Sequence, residues 1–291
     1  MHQVVLGLVR SARPRQWLKN VLVLAAPLAA GRILDPAVWL PIALAFVLFS
    51  AASAGIYLVN DLLDVREDRA HPSKRFRPIA SGVVPVPVAW AAAAVLLVAA
   101  PAVAAVTTPI GFSITILVYE LVQLSYCIWL KHVVVIDLVI VSSGFLLRAI
   151  GGAAVIAIAP SQWFLLVASF GSLFMVAGKR YSEKKSVDQS SGQTRRSLQG
   201  YSESYLRFVW VSSVSVALVA YSLWAFELGA AEVFPLTTIT IVPFGVALLR
   251  YAYIVDSGKA GAPEDVVLGD RQLQVLGALW FLCFLGAILL V

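Results

Sequence analysis

Charged side chains are scarce in this sequence. Asp, Glu, Lys and Arg make up 13% of its 291 residues, where an ordinary soluble domain carries about 25%. That shortage, with 60% hydrophobic residues and a mean hydropathy of +0.87, excludes a soluble globular domain and indicates an integral membrane protein. Cysteine is nearly absent as well. Cys127 and Cys283 are the only two; both lie in apolar runs, form no CxxC, and read as buried free thiols rather than a disulfide scaffold or metal site. His71 and His132, beside proline and lysine, are not read as metal ligands. Barrel strands are missing too. They would show about ten residues of alternation each, whereas here unbroken apolar runs reach the roughly 20 residues of a membrane-spanning helix.

Nine spans are predicted, at about 17–34, 37–60, 86–107, 109–130, 133–158, 161–178, 206–228, 233–255 and 271–291. Residues 61–85, 179–205 and 256–270 are long polar connections; "TTP", "APS" and "GAAE" are short and almost uncharged. Of the 22 Lys and Arg, only Arg32 falls on the side of the short loops, and Arg148 lies within a span. The positive-inside rule makes the side of the long loops cytoplasmic. Residues 1–16 read as an interfacial segment without a signal peptide, followed by Trp17 as an interface anchor. The expected fold is therefore an all-α membrane protein, one polytopic domain over residues 1–291, with nine transmembrane helices around a central cavity. Spans 2 and 6 each run into a long charged loop, as a duplicated helical unit would.

The charge that exists is concentrated. "NDLLDVREDRAHPSKRFRPIASG", Asn60 to Gly82, places Asp61, Asp64 and Asp68 at i, i+3, i+7, within about 60° on a continuous helix. Three carboxylates on one face repel, and a divalent cation among them relieves that. Mg²⁺, with Mn²⁺ as a substitute, takes oxygen ligands and typically shares its shell with a substrate's phosphates. Asn60 adds an amide. His71-Pro72 stops the helix, and Lys74, Arg75 and Arg77 follow; guanidinium forks match phosphate oxygens. The bland readings are a solvated helix end and a lipid-headgroup patch. The mixture of signs favours a metal–diphosphate site.

"NDLLDVRED" has the form N-D-x-x-D-x-x-x-D and resembles the first aspartate-rich motif of the UbiA-type prenyltransferase superfamily. "RPRQWLKN", Arg13 to Asn20, is similar to its R-P-x-x-W stretch. "YCIWLKHVVVIDLVIVSSGFLLRAIGG" resembles its fourth-to-fifth-helix segment, with Lys131, Asp137 and Arg148 in place. The resemblance covers essentially the whole chain and implies a UbiA-like bundle with cytoplasmic active-site loops at 61–85 and 179–205. One departure is informative. The superfamily's second motif is D-x-x-x-D after span 6; here "GKRYSEKKSVD" offers Glu183 among Lys179, Arg180, Lys184 and Lys185. A second all-carboxylate metal site is not expected there; a phosphate pocket is.

That departure makes the chain look most like the superfamily's phosphoribosyl-transferring branch in mycobacteria and related actinobacteria. That branch moves 5-phosphoribose from phosphoribosyl diphosphate to a polyprenyl phosphate for cell-wall arabinan precursors. The resemblance implies Asp61, Asp64 and Asp68 as catalytic metal ligands, and Lys74, Arg75 and Arg77 on the donor's phosphates. Lys179, Arg180, Tyr181 and Glu183 fall to its 5-phosphate or ribose, and Lys19, Asn20 and Lys131 to the lipid phosphate. Arg195, Arg196 and Arg207 read better as headgroup contacts, and Arg148 and Asp137 as structural. Rival readings are a prenyl diphosphate-dependent transferase with an aromatic acceptor, and a polyprenyl-lipid transporter. Membrane lipids are expected partners and nucleic acid is not; a homo-oligomer is left open. The cell membrane, with the site on its cytoplasmic side, is the expected location.

Overall fold

The computed structural model describes residues 2–188, 198, 200–229 and 235–290; Arg195 and Arg196 lie outside them. Every regular element among the described residues is helical. The order is α1 (His2–Ser11), a 3-10 segment (Pro14–Leu24), α2 (Ala25–Ala29), α3 (Trp39–Leu63), α4 (Val65–Ala70), α5 (Val86–Thr107), α6 (Ile110–Ile128) and α7 (Ile136–Val155). Then come α8 (Gln162–Asp188), α9 (Glu203–Gly229), α10 (Leu236–Ile239), α11 (Ile241–Asp256), α12 (Pro263–Gly269) and α13 (Arg271–Leu290). Eight of these stretches are long and apolar enough to cross a membrane. They match eight of the nine predicted spans.

The remaining one, 17–34, is no long α-helix. Pro14 sits at the first turn, and Arg13 before it takes a left-handed conformation (φ 52°, ψ 64°), outside the right-handed helical region that proline disfavours for its predecessor. The chain then winds as a 3-10 helix. Arg13 bonds Asp61 at the C-terminal end of α3 (2.5 Å), and Asn20 bonds Ser50 (2.9 Å). Seven residues at the 3-10 rise of about 2.0 Å thus keep level with eleven at the α rise of about 1.5 Å. The segment runs antiparallel beside α3, and the larger rise of its tighter winding is what lets so few residues match it.

The chain divides into two compact units, residues 1–140 with 144–160, and residues 141–143 with 161–291. In the first, α3 is central. Lipid tails are as apolar as a leucine side chain, so helix packing here rests on close approach. On α5 the buried face is made of Ala89, Ala93, Ala100 and Ala104, small residues that let α3 come near, while Val95, Val98 and Val106 of the same helix are exposed. Phe49 meets Phe112 and Tyr119 edge-on at 5.8 and 5.3 Å. On α7, a Cβ at Gly152 would fall 2.0 Å from the Val23 carbonyl oxygen, so glycine is required where α7 touches the 3-10 backbone.

In the second unit α8 packs chiefly on α9. Phe174 lies edge-on to Tyr251 at 5.4 Å, and Trp210 contacts both Phe174 and Tyr181. Beyond the predicted end of span 6 the helix continues to Asp188, so Lys179 to Glu183 stand on a helix rather than a loop.

Candidate functional site

The acid cluster forms where α3 hands over to α4. The helix is not continuous there. Asp64 takes a bridge-region conformation (φ −90°, ψ 7°) between the two, and its carbonyl still accepts from the Asp68 amide at 2.8 Å. The break splits the expected trio. Asp61 and Asp68 stay buried and converge, while Asp64, half-buried, turns to the Lys131 ammonium. Each turn of the following loop is set by a proline. His71, before Pro72, and Arg77, before Pro78, are both extended (ψ 136° and 142°), the conformation proline favours in its predecessor. The loop folds back, Arg69 Nε holds the Ala80 carbonyl at 3.0 Å, and Arg77 returns to the acids.

One guanidinium nitrogen of Arg77 donates to both carboxylates, at 3.2 Å to Asp61 Oδ1 and 2.7 Å to Asp68 Oδ2. Arg13 donates to the same Asp61 oxygen at 2.5 Å and lies 4.8 Å over the Tyr57 ring. Arg13 was legible only as part of a motif; its partnership with Asp61 was not, although its position before the first span puts it at the level of the acids. Asn60, half-buried, precedes Asp61 and takes the Asp64 amide on its carbonyl at 3.0 Å. Lys74 is half-buried, and Arg75 is exposed and lies 4.8 Å over the Phe76 ring.

Among the described residues no group of three or more His, Cys, Asp and Glu is arranged to hold a metal ion. Three carboxylates do not form a cage. Two of them share a single cationic nitrogen, and that pair fits an ion such as Mg²⁺, which is held by one or two carboxylates plus waters and substrate phosphates rather than by an all-protein shell.

Asn20 corrects the expectation of a lipid-phosphate contact. It is fully buried, its amide nitrogen given to Ser50 and its oxygen taken by Arg148 Nε at 2.6 Å. Lys19, its neighbour, is half-buried with its ammonium 5.7 Å over the Phe145 ring. The structural reading of Arg148 fits its surroundings: it is bonded to neutral groups on four elements. Asp137, eleven residues earlier, is fully buried. Glu120 is buried in α6.

In the second unit the basic stretch of α8 is partly committed. Glu183 pairs with Arg180 at 3.1 Å and with Lys179 at 3.8 Å. Arg180 is buried; Lys179 is the exposed member. Tyr181 corrects a second expectation. Its ring is fully buried, and its hydroxyl accepts from Arg207 at 2.7 Å and donates to Asp256 at 3.3 Å. No face is left for ribose. Arg207, read as a headgroup contact, also pairs with Asp256 at 3.2 Å. Ser182 and Lys185 add bonds to the 255–260 turn, which ties the third long loop to α8.

The sequence profile of the UbiA prenyltransferase family matches residues 21–272. Two relatives carry the name decaprenyl-phosphate phosphoribosyltransferase. That of Mycolicibacterium smegmatis is 49% identical over 98% of this chain and 92% of its own. That of Corynebacterium glutamicum is 46% identical over 97% of this chain and 86% of its own. A UbiA homolog from Archaeoglobus fulgidus, solved bound to DMAPP and Mg²⁺, superposes with a TM-score of 0.74 over 98% of this chain and 99% of that one, at 17% identity.

Proposed function

We propose that this chain, which belongs to the UbiA prenyltransferase family, transfers 5-phosphoribose from phosphoribosyl diphosphate to a polyprenyl phosphate and releases diphosphate. The observation that carries this reading is a difference in charge between the two candidate sites. Around the acid cluster, Asp61, Asp64 and Asp68 are matched by Arg13, Arg77 and Lys131. Such a balanced site takes a polyanion only together with added positive charge. On α8 the cations Lys179, Arg180, Lys184 and Lys185 outnumber Glu183, and a surplus of that kind takes a phosphate directly. Phosphoribosyl diphosphate carries both kinds of group, a diphosphate and a separate 5-phosphate. A prenyl diphosphate has only the first. The names of the two relatives point the same way.

Asp61 and Asp68, with Asp64 beside them, would hold a divalent ion, Mg²⁺ as in the Archaeoglobus fulgidus homolog, and its chemistry there is to neutralise charge on the leaving diphosphate. Arg77 and Arg13 orient that group, since both guanidinium groups already stand at the acids. Lys131 and Lys19 draw the lipid phosphate to the same edge. As the donor's C1–O bond breaks, its electron pair leaves with the diphosphate, and a lipid phosphate oxygen bonds to C1 from the opposite face. That oxygen is anionic at pH 7, so no strong base is needed. The protein's share is positioning and charge stabilisation, and the product is inverted at C1. The active site faces the cytoplasm, in the cell membrane, and the product feeds cell-wall arabinan precursors.

The test is purified protein with Mg²⁺, a polyprenyl phosphate, and either labelled phosphoribosyl diphosphate or labelled prenyl diphosphate. Label from the sugar donor should enter the lipid, and Asp61→Asn should abolish it. Label entering only from the prenyl donor refutes the reading, and so does full activity in the variant.

A further inference from the structure

Arg148 lies inside the apolar helix α7 at 5% exposure, and no carboxylate among the described residues bonds it. A buried cation held only by neutral groups is expensive, and a leucine or methionine would pack there at lower cost. What the fork achieves is connection. Nε donates to Asn20 Oδ1 of the 3-10 segment at 2.6 Å, and NH1 to the Gly144 carbonyl of α7 at 2.7 Å. NH2 donates to Ser53 of α3 at 3.0 Å and to the Tyr119 hydroxyl of α6 at 2.8 Å. The guanidinium carbon is 4.7 Å from the Tyr119 ring centroid.

The 3-10 segment needs such a hold. Runs longer than three or four residues are uncommon, because the hydrogen-bond geometry is poor, and this one has eleven. Helix α7 grips it at two points one turn apart: Arg148 on Asn20, and Gly152 on the Val23 backbone. Seven residues before Asn20 stands Arg13. Its left-handed backbone (φ 52°) is a strained conformation that persists where the surroundings over-determine it.

We propose that Arg148 is a positioning residue for the acid cluster: through Asn20 it fixes the register of the 3-10 segment and so delivers Arg13 to Asp61. The geometry gives the lever a length. If the segment relaxed to an α-helix, its rise would fall from about 2.0 to about 1.5 Å per residue. Over the seven residues from Asn20 to Arg13 that is a retreat of about 3.5 Å, enough to break the bond to Asp61. The inference rests on the reading of the acid cluster as the donor site.

A double-mutant cycle tests it, with kcat/KM measured on whichever donor the wild type turns over. Arg148→Lys keeps the charge and loses the fork. Asn20→Leu changes no charge and stands in if Arg148→Lys does not fold, as judged by thermal unfolding. Each should lower kcat/KM at least tenfold, mainly through the donor's KM, and Arg13→Gln should do the same. Either variant combined with Arg13→Gln should be no worse than Arg13→Gln alone, within about twofold. Asn20→Asp, which keeps an acceptor for Nε, should recover most of the loss. Additive losses, or wild-type KM in a folded Arg148→Lys or Asn20→Leu protein, overturn the inference. They do so without touching the acid cluster if Asp61→Asn is inactive; an active Asp61→Asn overturns the reading of the cluster instead.

Discussion

Gly152→Ala is the smallest change with a large expected effect. The added methyl would stand 2.0 Å from the Val23 carbonyl oxygen, 2.7 Å from its carbon and 2.9 Å from Val23 Cα, where ordinary contact begins at 3.4 Å. All three atoms are backbone, so no side chain swings away to make room. The two chains must separate by more than an ångström. Overpacking of this kind costs about 1–3 kcal/mol, and in a chain of this size each kcal/mol lowers Tm by about 2–4 °C. The displaced segment carries Asn20 and Arg13, whose bonds to Arg148 and Asp61 are 2.6 and 2.5 Å long and have no slack. A misplacement of about 1 Å at a reacting centre costs about 10²-fold in rate. Transfer kinetics and thermal unfolding in detergent are the assay. Gly277→Ala is the control: nothing lies within 4 Å of the added methyl on α13, and alanine's helix preference, worth up to about 1 kcal/mol, should leave Tm unchanged or raised. Wild-type Tm and kcat/KM in Gly152→Ala would refute the tight contact and the lever built on it.

Lys131→Met should lower kcat/KM at least tenfold with only a small change in Tm, since the Lys131–Asp64 pair is half-exposed; kinetics and melting measured together check it. Tyr181→Phe removes a hydroxyl that bridges Arg207 and Asp256. It should cost about 1 kcal/mol of stability with kcat/KM within a few-fold of wild type; a hundredfold loss would return Tyr181 to the substrate. Asp270 is held below the usual carboxylate range by the Arg250 guanidinium, and further by the Leu273 amide. A depressed folded value means that the stabilisation is present above about pH 4 and is lost as pH falls through that lower value. Asp270→Asn should therefore melt below wild type at pH 7, with the gap closing on acidification.

The helices were legible because hydrophobic run length is a direct physical requirement of the membrane. The acid and base residues of the 60–82 stretch were legible because charge is conspicuous in an apolar chain. What sequence did not show was direction. Asp64 belongs to the trio by spacing, but a break in φ and ψ at that single residue turns it to Lys131, and helical periodicity assumes no break. Asn20 reads as cytoplasmic-edge polarity when residues 17–34 are taken as an α-helix from Trp17. Wound as 3-10, the same chain carries Asn20 level with Ser50, in the core. Tyr181 resembles an interface tyrosine until α8 is seen to continue past the span and bury it against α9 and the 255–260 turn.

These departures have a common cause. In a chain with 13% charged residues, almost every ion at depth must find its partner on another element, so each polar side chain also fixes the packing of two segments. Arg13 joins the 3-10 segment to the end of α3, Lys131 joins the α6–α7 connection to the same end, and Arg148 joins four elements at once. Periodicity along one segment carries no information about such pairs, because their geometry is set by the relative level of two segments. The level of the 3-10 segment depends on its winding, and its winding depends on what holds it. The acid cluster is thus assembled from the helix core outward: α7 fixes the 3-10 segment, the segment places Arg13, and Arg13 with Arg77 brings cations to Asp61 and Asp68.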